Sequence, residues 1–145
     1  MEKVLVTSML FDESARCVHM LRDSGFDVHM LGHQKFSDGF ATEEESIRLL
    51  DGTKAVVAAG ERYTNKILES LPDLRVISRL GVGFDKVDIE AATNHGVVVA
   101  ITPNANHEAV AEHAIALLLA VAKRIVPLDS AVRNRDWARA GGLPV

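Results

Sequence analysis

The chain has 145 residues, and its 16 Lys and Arg residues against 20 Asp and Glu residues give a formal net charge of −4. A mildly acidic chain without a basic stripe is unsuited to general nucleic-acid binding or to docking on an anionic membrane. The single cysteine, Cys17, excludes an intrachain disulfide, and no apolar leader precedes Lys3, so we expect a cytoplasmic protein. The longest apolar run, Ala114–Ala122, is too short to cross a bilayer.

Short apolar runs alternate with helical patterns through residues 1–101. Because such runs are apolar on both sides of the strand, they favour a parallel sheet covered by helices on both faces. The alternation predicts an α/β, flavodoxin-like domain with strand order 2-1-3-4-5. The predicted strands are Lys3–Thr7, Phe26–Met30, Lys54–Ala58, Arg75–Ser78 and Val97–Ile101.

The helices between these strands follow from apolar spacing and from capping residues. Thr42 with Glu45 three residues later matches a capping box, which places a helix from Thr42 to about Leu50. The other predicted helices are Asp12–Asp23, one that begins after Thr64, and one over about Asp88–Asn94.

Residues 102–145 do not fit this repeating unit. One long helix is predicted over His107–Arg124. Most of its residues from Ala109 to Ala122 are apolar, so this helix presents apolar side chains on every side. A second helix is predicted over about Asp129–Ala138, and Gly141–Val145 has the composition of a linker. We therefore expect a long helix and an arm that pack on another domain or another chain.

The loops at the carboxyl ends of the strands are where ligands bind in such sheets. Gly81-Val82-Gly83 begins like a dinucleotide fingerprint, but Lys86 stands where G-x-G-x-x-G needs its third glycine. The spacing leaves two interpretations open: a tight turn, or a loop whose N–H groups face an anion. Asn106 is equally open, as the N-cap of the long helix or as an amide facing the crevice.

No metal site is predicted. His107-Glu108 starts like the H-E-x-x-H zinc motif, but Ala111 occupies the position of the second histidine. Cys17 lies beside the apolar stripe of the first helix and is interpreted as a buried structural thiol.

Three stretches are specific when taken together: Leu71–Asp88, His95–Glu112 with its T-P-x-x-N-x-x-x-V-A-E pattern, and Arg133–Trp137. They resemble the D-isomer-specific 2-hydroxyacid dehydrogenase family, in its phosphoglycerate dehydrogenase-like branch. The resemblance covers nearly the whole chain, and residues 71–112 are its distinctive part. The stretch Arg133–Trp137 lacks the glycine that is usual in the family.

The resemblance identifies residues 1–101 as a substrate-binding (catalytic) domain. It implies that backbone N–H groups at Gly81, Val82 and Gly83 bind the substrate carboxylate, and that Ala59 and Gly60 line its other side. It also implies that Asn106 holds substrate and that Val110 lies near the nicotinamide. Relatives carry a basic or hydroxyl group where this chain has Ala58-Ala59, which argues against phosphorylated substrates.

The implied reaction is hydride transfer between NAD(H), or NADP(H), and a 2-oxo or 2-hydroxy acid. In the family, the catalytic Arg, Glu and His lie in a nucleotide-binding domain whose G-x-G-x-x-G is absent from these 145 residues. No catalytic residue is therefore assigned here, and the chain alone is expected to be inactive. Residues 102–145 would belong with that missing domain and with a homodimer interface. The alternative is a non-catalytic module from a truncated gene that binds small carboxylates or a protein.

Overall fold

The computed structural model describes residues 1–136. The chain divides after Ala105 into two compact units. Five strands form one parallel sheet in the first unit: β1 Lys3–Val6, β2 Asp27–Met30, β3 Ala55–Ala58, β4 Val76–Arg79 and β5 Val98–Ala100. Their order is β2-β1-β3-β4-β5, which confirms the predicted α/β topology. The register pairs Val57 of β3 with Val6 of β1 and with Ser78 of β4.

The helices of each unit are short apart from one. Within residues 1–136, no helix is long and apolar enough to traverse a lipid bilayer. The first unit contains α1 Arg16–Asp23, α2 Gln34–Ser37, α3 Glu43–Leu50, α4 Asn65–Glu69 and α5 Ile89–Asn94, and the second contains α6 His107–Ala122 and α7 Ile125–Arg133.

Two hydrophobic clusters lie on opposite faces of the sheet, as expected for a sheet covered on both sides. On one face, Val18 of α1 packs against Val4, Val6 and Val28. The larger cluster on the other face joins β3 and β4 to the helices α2 to α5. Its largest fully buried members are Phe36, Leu50, Tyr63, Ile67, Leu68, Leu74 and Ile77.

The first helix begins at Arg16, four residues later than the predicted Asp12. The Asp12 carboxylate accepts hydrogen bonds from the N–H group (2.8 Å) and the hydroxyl group (2.6 Å) of Ser14. An aspartate that binds the backbone two residues ahead stabilises a local turn instead of a helix start. The turn delays the helix, which begins after Ala15 without a side-chain cap.

The capping residues of α3 and α4 act as predicted, with one difference. Thr42 accepts a hydrogen bond from the Glu45 N–H at 3.2 Å, and Thr64 accepts one from the Ile67 N–H. The Glu45 carboxylate lies 3.4 Å from the His33 ring, so only the threonine half of the capping box is formed as predicted.

The long helix ends at Ala122, two residues before the predicted Arg124, because Arg124 adopts the left-handed conformation (φ 55°). The following helix therefore starts at Ile125, four residues before the predicted Asp129, and ends at Arg133. The predicted end of that helix at Ala138, the linker over Gly141–Val145 and Trp137 lie outside the described residues.

Candidate functional site

A polar cleft lies at the carboxyl edge of the sheet, where the loops after β1, β3 and β4 meet. Its volume is about 670 Å³. Apolar side chains of Met9, Leu10 and Phe40 are exposed at its rim. Three residues with charged side chains line it, of which Arg79 and Lys86 are positive and Asp38 is negative. The other polar and backbone groups that line it belong to Ser8, Ser37, Ala59 and Gly60.

A second cleft of about 450 Å³ lies beside β5, between that strand and α5. Thr93 is the only polar residue among those that line it, and the others are apolar, such as Phe84 and Val98. A carboxylate needs donors or positive charge, so the polar cleft suits an anion and the apolar one does not.

The loop after β4 turns sharply at Gly81, whose φ of +135° is accessible to glycine at little cost. The Gly81 N–H donates to the Thr102 hydroxyl at 2.8 Å, and the Thr102 N–H donates back to the Gly81 carbonyl at 2.9 Å. Within residues 1–136, no hydrogen bond engages the N–H groups of Val82 and Gly83. Of the three predicted carboxylate donors, these two are the ones without an internal partner among the described residues.

The loop after β3 contains Ala59 and Gly60, and both of their N–H groups are used inside the protein. The Ala59 N–H donates to the Glu61 carboxylate at 2.8 Å and to the Thr7 hydroxyl at 3.2 Å. The Gly60 N–H donates to the Ser37 carbonyl at 2.7 Å. Both residues line the cleft, while their N–H groups are occupied by partners within the protein.

Glu61 is the residue of this region whose importance the sequence does not reveal. Its side chain is fully buried, and its carboxylate accepts hydrogen bonds from the hydroxyl groups of Thr7 (2.5 Å) and Tyr63 (3.2 Å). Burial raises the pKa of Glu61 because it penalises the charged form, although these donors and the Ala59 N–H oppose the shift. Burial, and then the neighbouring Glu61, hold the pKa of Tyr63 well above its ordinary value.

One feature of the sequence points to Glu61: it is a carboxylate shortly after a buried strand. Its partner Thr7 is 54 residues earlier in the chain, at the end of β1. Only the pairing of β1 with β3 brings the two side chains together.

Two cations secure the loops around the cleft. The Arg79 guanidinium, whose residue is only 8% exposed, donates to the Glu61 carbonyl at 3.1 Å and to the Gly83 carbonyl at 3.2 Å. The Lys86 ammonium donates to the carbonyl groups of Gly60 (2.8 Å) and Asp38 (3.1 Å). Their partners in these contacts are neutral carbonyl groups, so the positive charge of both side chains persists at the cleft.

Asn106 and Val110 belong to the second unit, at the start of α6. Asn106 occupies the N-cap position, but its side chain makes no capping hydrogen bond, contrary to the capping interpretation. Its carbonyl accepts the Val110 N–H at 3.0 Å, and the Val110 residue is 59% exposed.

Among residues 1–136, we find neither a complete dinucleotide fingerprint nor a cluster of metal-ligating side chains. The Gly81–Gly83 loop departs from a dinucleotide fingerprint at Lys86, whose ammonium is bonded to Gly60. Within residues 1–136, no three His, Cys, Asp or Glu side chains lie close enough to hold a metal. Cys17 on α1 is half-buried, whereas the sequence predicted a buried thiol.

Residues 4–138 match the family of D-isomer specific 2-hydroxyacid dehydrogenases, in its catalytic domain. A D-3-phosphoglycerate dehydrogenase of Methanocaldococcus jannaschii is 31% identical over 139 residues, which are 96% of this chain and 25% of that protein. A glyoxylate reductase of Pyrococcus furiosus is 38% identical over 121 residues, which are 79% of this chain and 36% of that protein.

A solved structure of a protein from Thermus thermophilus superposes with a TM-score of 0.76 at 30% identity, over 97% of this chain and 45% of that one. The chain therefore spans a quarter to under a half of the length of these relatives. Together with the match over residues 4–138, they establish that the chain belongs to the D-isomer specific 2-hydroxyacid dehydrogenase family and carries its catalytic domain.

Proposed function

We propose that this chain is the substrate-binding part of an NAD- or NADP-dependent D-2-hydroxyacid dehydrogenase. The observation that carries the proposal is that the N–H groups of Val82 and Gly83, in the loop that Arg79 holds, have no hydrogen-bond partner among residues 1–136. Two adjacent backbone donors near positive charge suit the carboxylate of a 2-oxo or 2-hydroxy acid. The single cysteine supports a reducing compartment, the cytoplasm.

The contribution of this chain is to bind and orient the acid. Val82 and Gly83 would hold the carboxylate, with Ala59 and Gly60 forming the opposite wall. Fixing one end of a small acid removes much of the freedom that it must otherwise lose before reaction. A nicotinamide cofactor, when bound, would supply the hydride for reduction of the carbonyl group. The catalytic groups, an Arg, a Glu and a His, are expected in a separate nucleotide-binding domain.

The partners proposed for residues 102–145 are that domain and a second copy of the chain. Leu118 of α6 is 60% exposed and Val121 is 79% exposed. A helix that is apolar on all sides is stable in water only when other surfaces cover it. Contact with a nucleotide-binding domain and with a two-fold partner would bury the apolar side chains on every side of α6.

Carboxylate binding and turnover test the proposal separately. Titration of the ¹⁵N-labelled chain with oxamate, a carboxylate that resembles pyruvate, should shift the amide signals of Val82 and Gly83 more than that of Gly81. With NADH and glyoxylate, hydroxypyruvate or pyruvate, the 145-residue chain should consume no NADH. Addition of the nucleotide-binding domain of a relative would test whether NADH turnover can be reconstituted. Failure of oxamate to move Val82 and Gly83 would overturn the proposed site.

The second candidate is a non-catalytic module that binds small carboxylates or a protein. The same two N–H groups favour it, since binding needs no catalytic residue. Reading the gene past Val145 separates the two candidates. An open frame that continues into G-x-G-x-x-G supports the dehydrogenase, and a stop codon at that point supports the module.

A further inference from the structure

We propose that Glu61 is a positioning residue, whose carboxyl group and main chain fix the carboxylate-binding loop at Val82 and Gly83 through Arg79. The inference rests on the proposed function, because it concerns the loop that would hold the substrate. Glu61 itself is fully buried and does not line the cleft, so it cannot touch the substrate.

The first step is that Glu61 determines the path of its own loop. The carboxylate accepts hydrogen bonds from Thr7 on the end of β1, from Tyr63, and from the Ala59 N–H. Ala59 and Tyr63 are each two residues from Glu61, and Thr7 is 54 residues earlier, so the carboxyl group ties its own loop to the end of β1. A buried group with three partners has little freedom to move, because each lost hydrogen bond would leave a buried polar atom unsatisfied.

The second step is that Arg79 joins this loop to the next one. Its Nη1 donates to the Glu61 carbonyl and its Nε donates to the Gly83 carbonyl. A guanidinium is planar and rigid, so two hydrogen bonds from one group fix the separation of the two carbonyl groups. The Gly83 carbonyl and the Gly83 N–H belong to the same residue. A displacement of Glu61 that Arg79 transmits to this carbonyl therefore also moves a proposed substrate donor.

The third step is that the network has two hydrogen-bonding arrangements. When Glu61 is ionised, the Thr7 hydroxyl donates to it. When Glu61 is protonated, it can donate to Thr7, whose hydroxyl then donates to the Val57 carbonyl, at 3.2 Å. The ionisable groups that face this site are Tyr63, at the carboxyl group, and Arg79, at the Glu61 carbonyl. Lys86 reaches the same loop at Gly60.

The test follows backbone amide signals of the ¹⁵N-labelled 145-residue chain between about pH 4.5 and pH 8.5, without ligand, a range that starts near the ordinary pKa of glutamate and extends several units above it. The signals of Ala59, Val82 and Gly83 should move with one shared midpoint, above the ordinary pKa of glutamate. Glu61→Gln should abolish this transition. In Arg79→Lys, which keeps the charge but cannot make both hydrogen bonds, Ala59 should still titrate and Gly83 should not.

Ligand binding supplies the second readout. Glu61→Gln should weaken oxamate binding by about tenfold or more, the effect of disturbing one hydrogen bond to a charged group. Val18→Ala, which opens a cavity in the other hydrophobic cluster, should lower stability and leave oxamate binding unchanged. If Glu61→Gln fails to fold, Tyr63→Phe serves instead, because loss of one donor should raise the shared midpoint.

The outcomes separate this inference from the proposed function. Amides at Val82 and Gly83 that ignore the Glu61 transition, or that still follow it in Arg79→Lys, overturn the positioning role. Equal weakening of oxamate binding by Val18→Ala and Glu61→Gln overturns it as well, since it would show a general effect of stability. Absence of oxamate binding in the wild-type chain overturns the proposed function, and the ligand-free titration still decides the inference.

Discussion

Gly39 and Gly60 pass each other too closely for Gly39 to carry a side chain. A Cβ atom on Gly39 would lie 2.5 Å from the Gly60 carbonyl oxygen, well inside van der Waals contact. This contact presses the end of α2 against the loop after β3, where the Gly60 N–H also binds Ser37. The wall of the polar cleft is therefore built from two segments that approach through glycine.

Gly39→Ala should lower the free energy of unfolding by about 2–4 kcal/mol, combining a left-handed conformation with a steric clash. Gly25→Ala is the matched control, because Gly25 has nearly the same φ (+85° against +81°) and no atom within 4 Å of its Cβ position. Its cost should be about 1 kcal/mol, from the backbone conformation alone. Urea denaturation of both variants measures the difference. Equal losses would show that the close approach is absent in solution.

The burial of Glu61 should make stability depend on pH in a defined direction. Its pKa is raised in the folded protein, so the folded state holds the Glu61 proton more tightly than the unfolded state. The stabilisation is fully present below the unfolded pKa and is lost as pH rises through the folded pKa. Relative to Glu61→Gln, the wild-type chain should lose stability over that range. Urea denaturation at half-unit pH steps measures it, since other carboxylates cancel in the difference between the two proteins.

A wild-type curve that stays parallel to that of Glu61→Gln throughout would contradict the raised pKa. A curve that rises with pH relative to the variant would mean that the hydrogen bonds from Thr7, Tyr63 and Ala59 outweigh burial.

Capping residues should differ in what they contribute to stability. The Asp88 carboxylate accepts the Ala91 N–H at 2.9 Å, so Asp88→Ala should cost about 1 kcal/mol. Asn106 makes no such bond, so Asn106→Ala should change the free energy of unfolding by less than about 0.5 kcal/mol. Denaturant unfolding of both variants measures the contrast. A loss from Asn106→Ala as large as that from Asp88→Ala would restore the capping interpretation.

The sheet was predictable from sequence because its strands are short apolar runs separated by helices, and only a few topologies bury such a pattern. The helix α2 was not predicted. Four residues carry no helical period. The helix α2 is held instead by a local cap, in which the His33 ring accepts the Phe36 N–H, and by a tertiary contact, in which the Ser37 hydroxyl donates to the Thr7 carbonyl. The start of α1 was placed too early because Asp12 is a good N-cap residue that here stabilises a turn.

The sequence predicted which loops form the candidate site, but it did not predict which of their N–H groups lack an internal partner. A resemblance over residues 71–112 pointed to Gly81, Val82 and Gly83, but which N–H groups are unengaged depends on partners elsewhere. The Gly81 N–H donates to Thr102, which is 21 residues away in the chain. The N–H groups of Ala59 and Gly60 donate to Thr7 and Ser37. Such pairings become visible only when the strands are set side by side.

The exposed apolar surface of α6 should cause the chain to associate with itself. Leu118 is 60% exposed on a helix that carries charge only near its start, so Leu118→Glu should abolish association by placing a carboxylate in the contact. His113→Glu adds the same group to an exposed position about 140° away around the helix and should leave association intact. Sedimentation velocity over a wide range of concentration measures this. A wild-type chain that stays monomeric at the highest concentration would contradict the proposed two-fold partner, and equal effects of the two variants would move the contact away from Leu118.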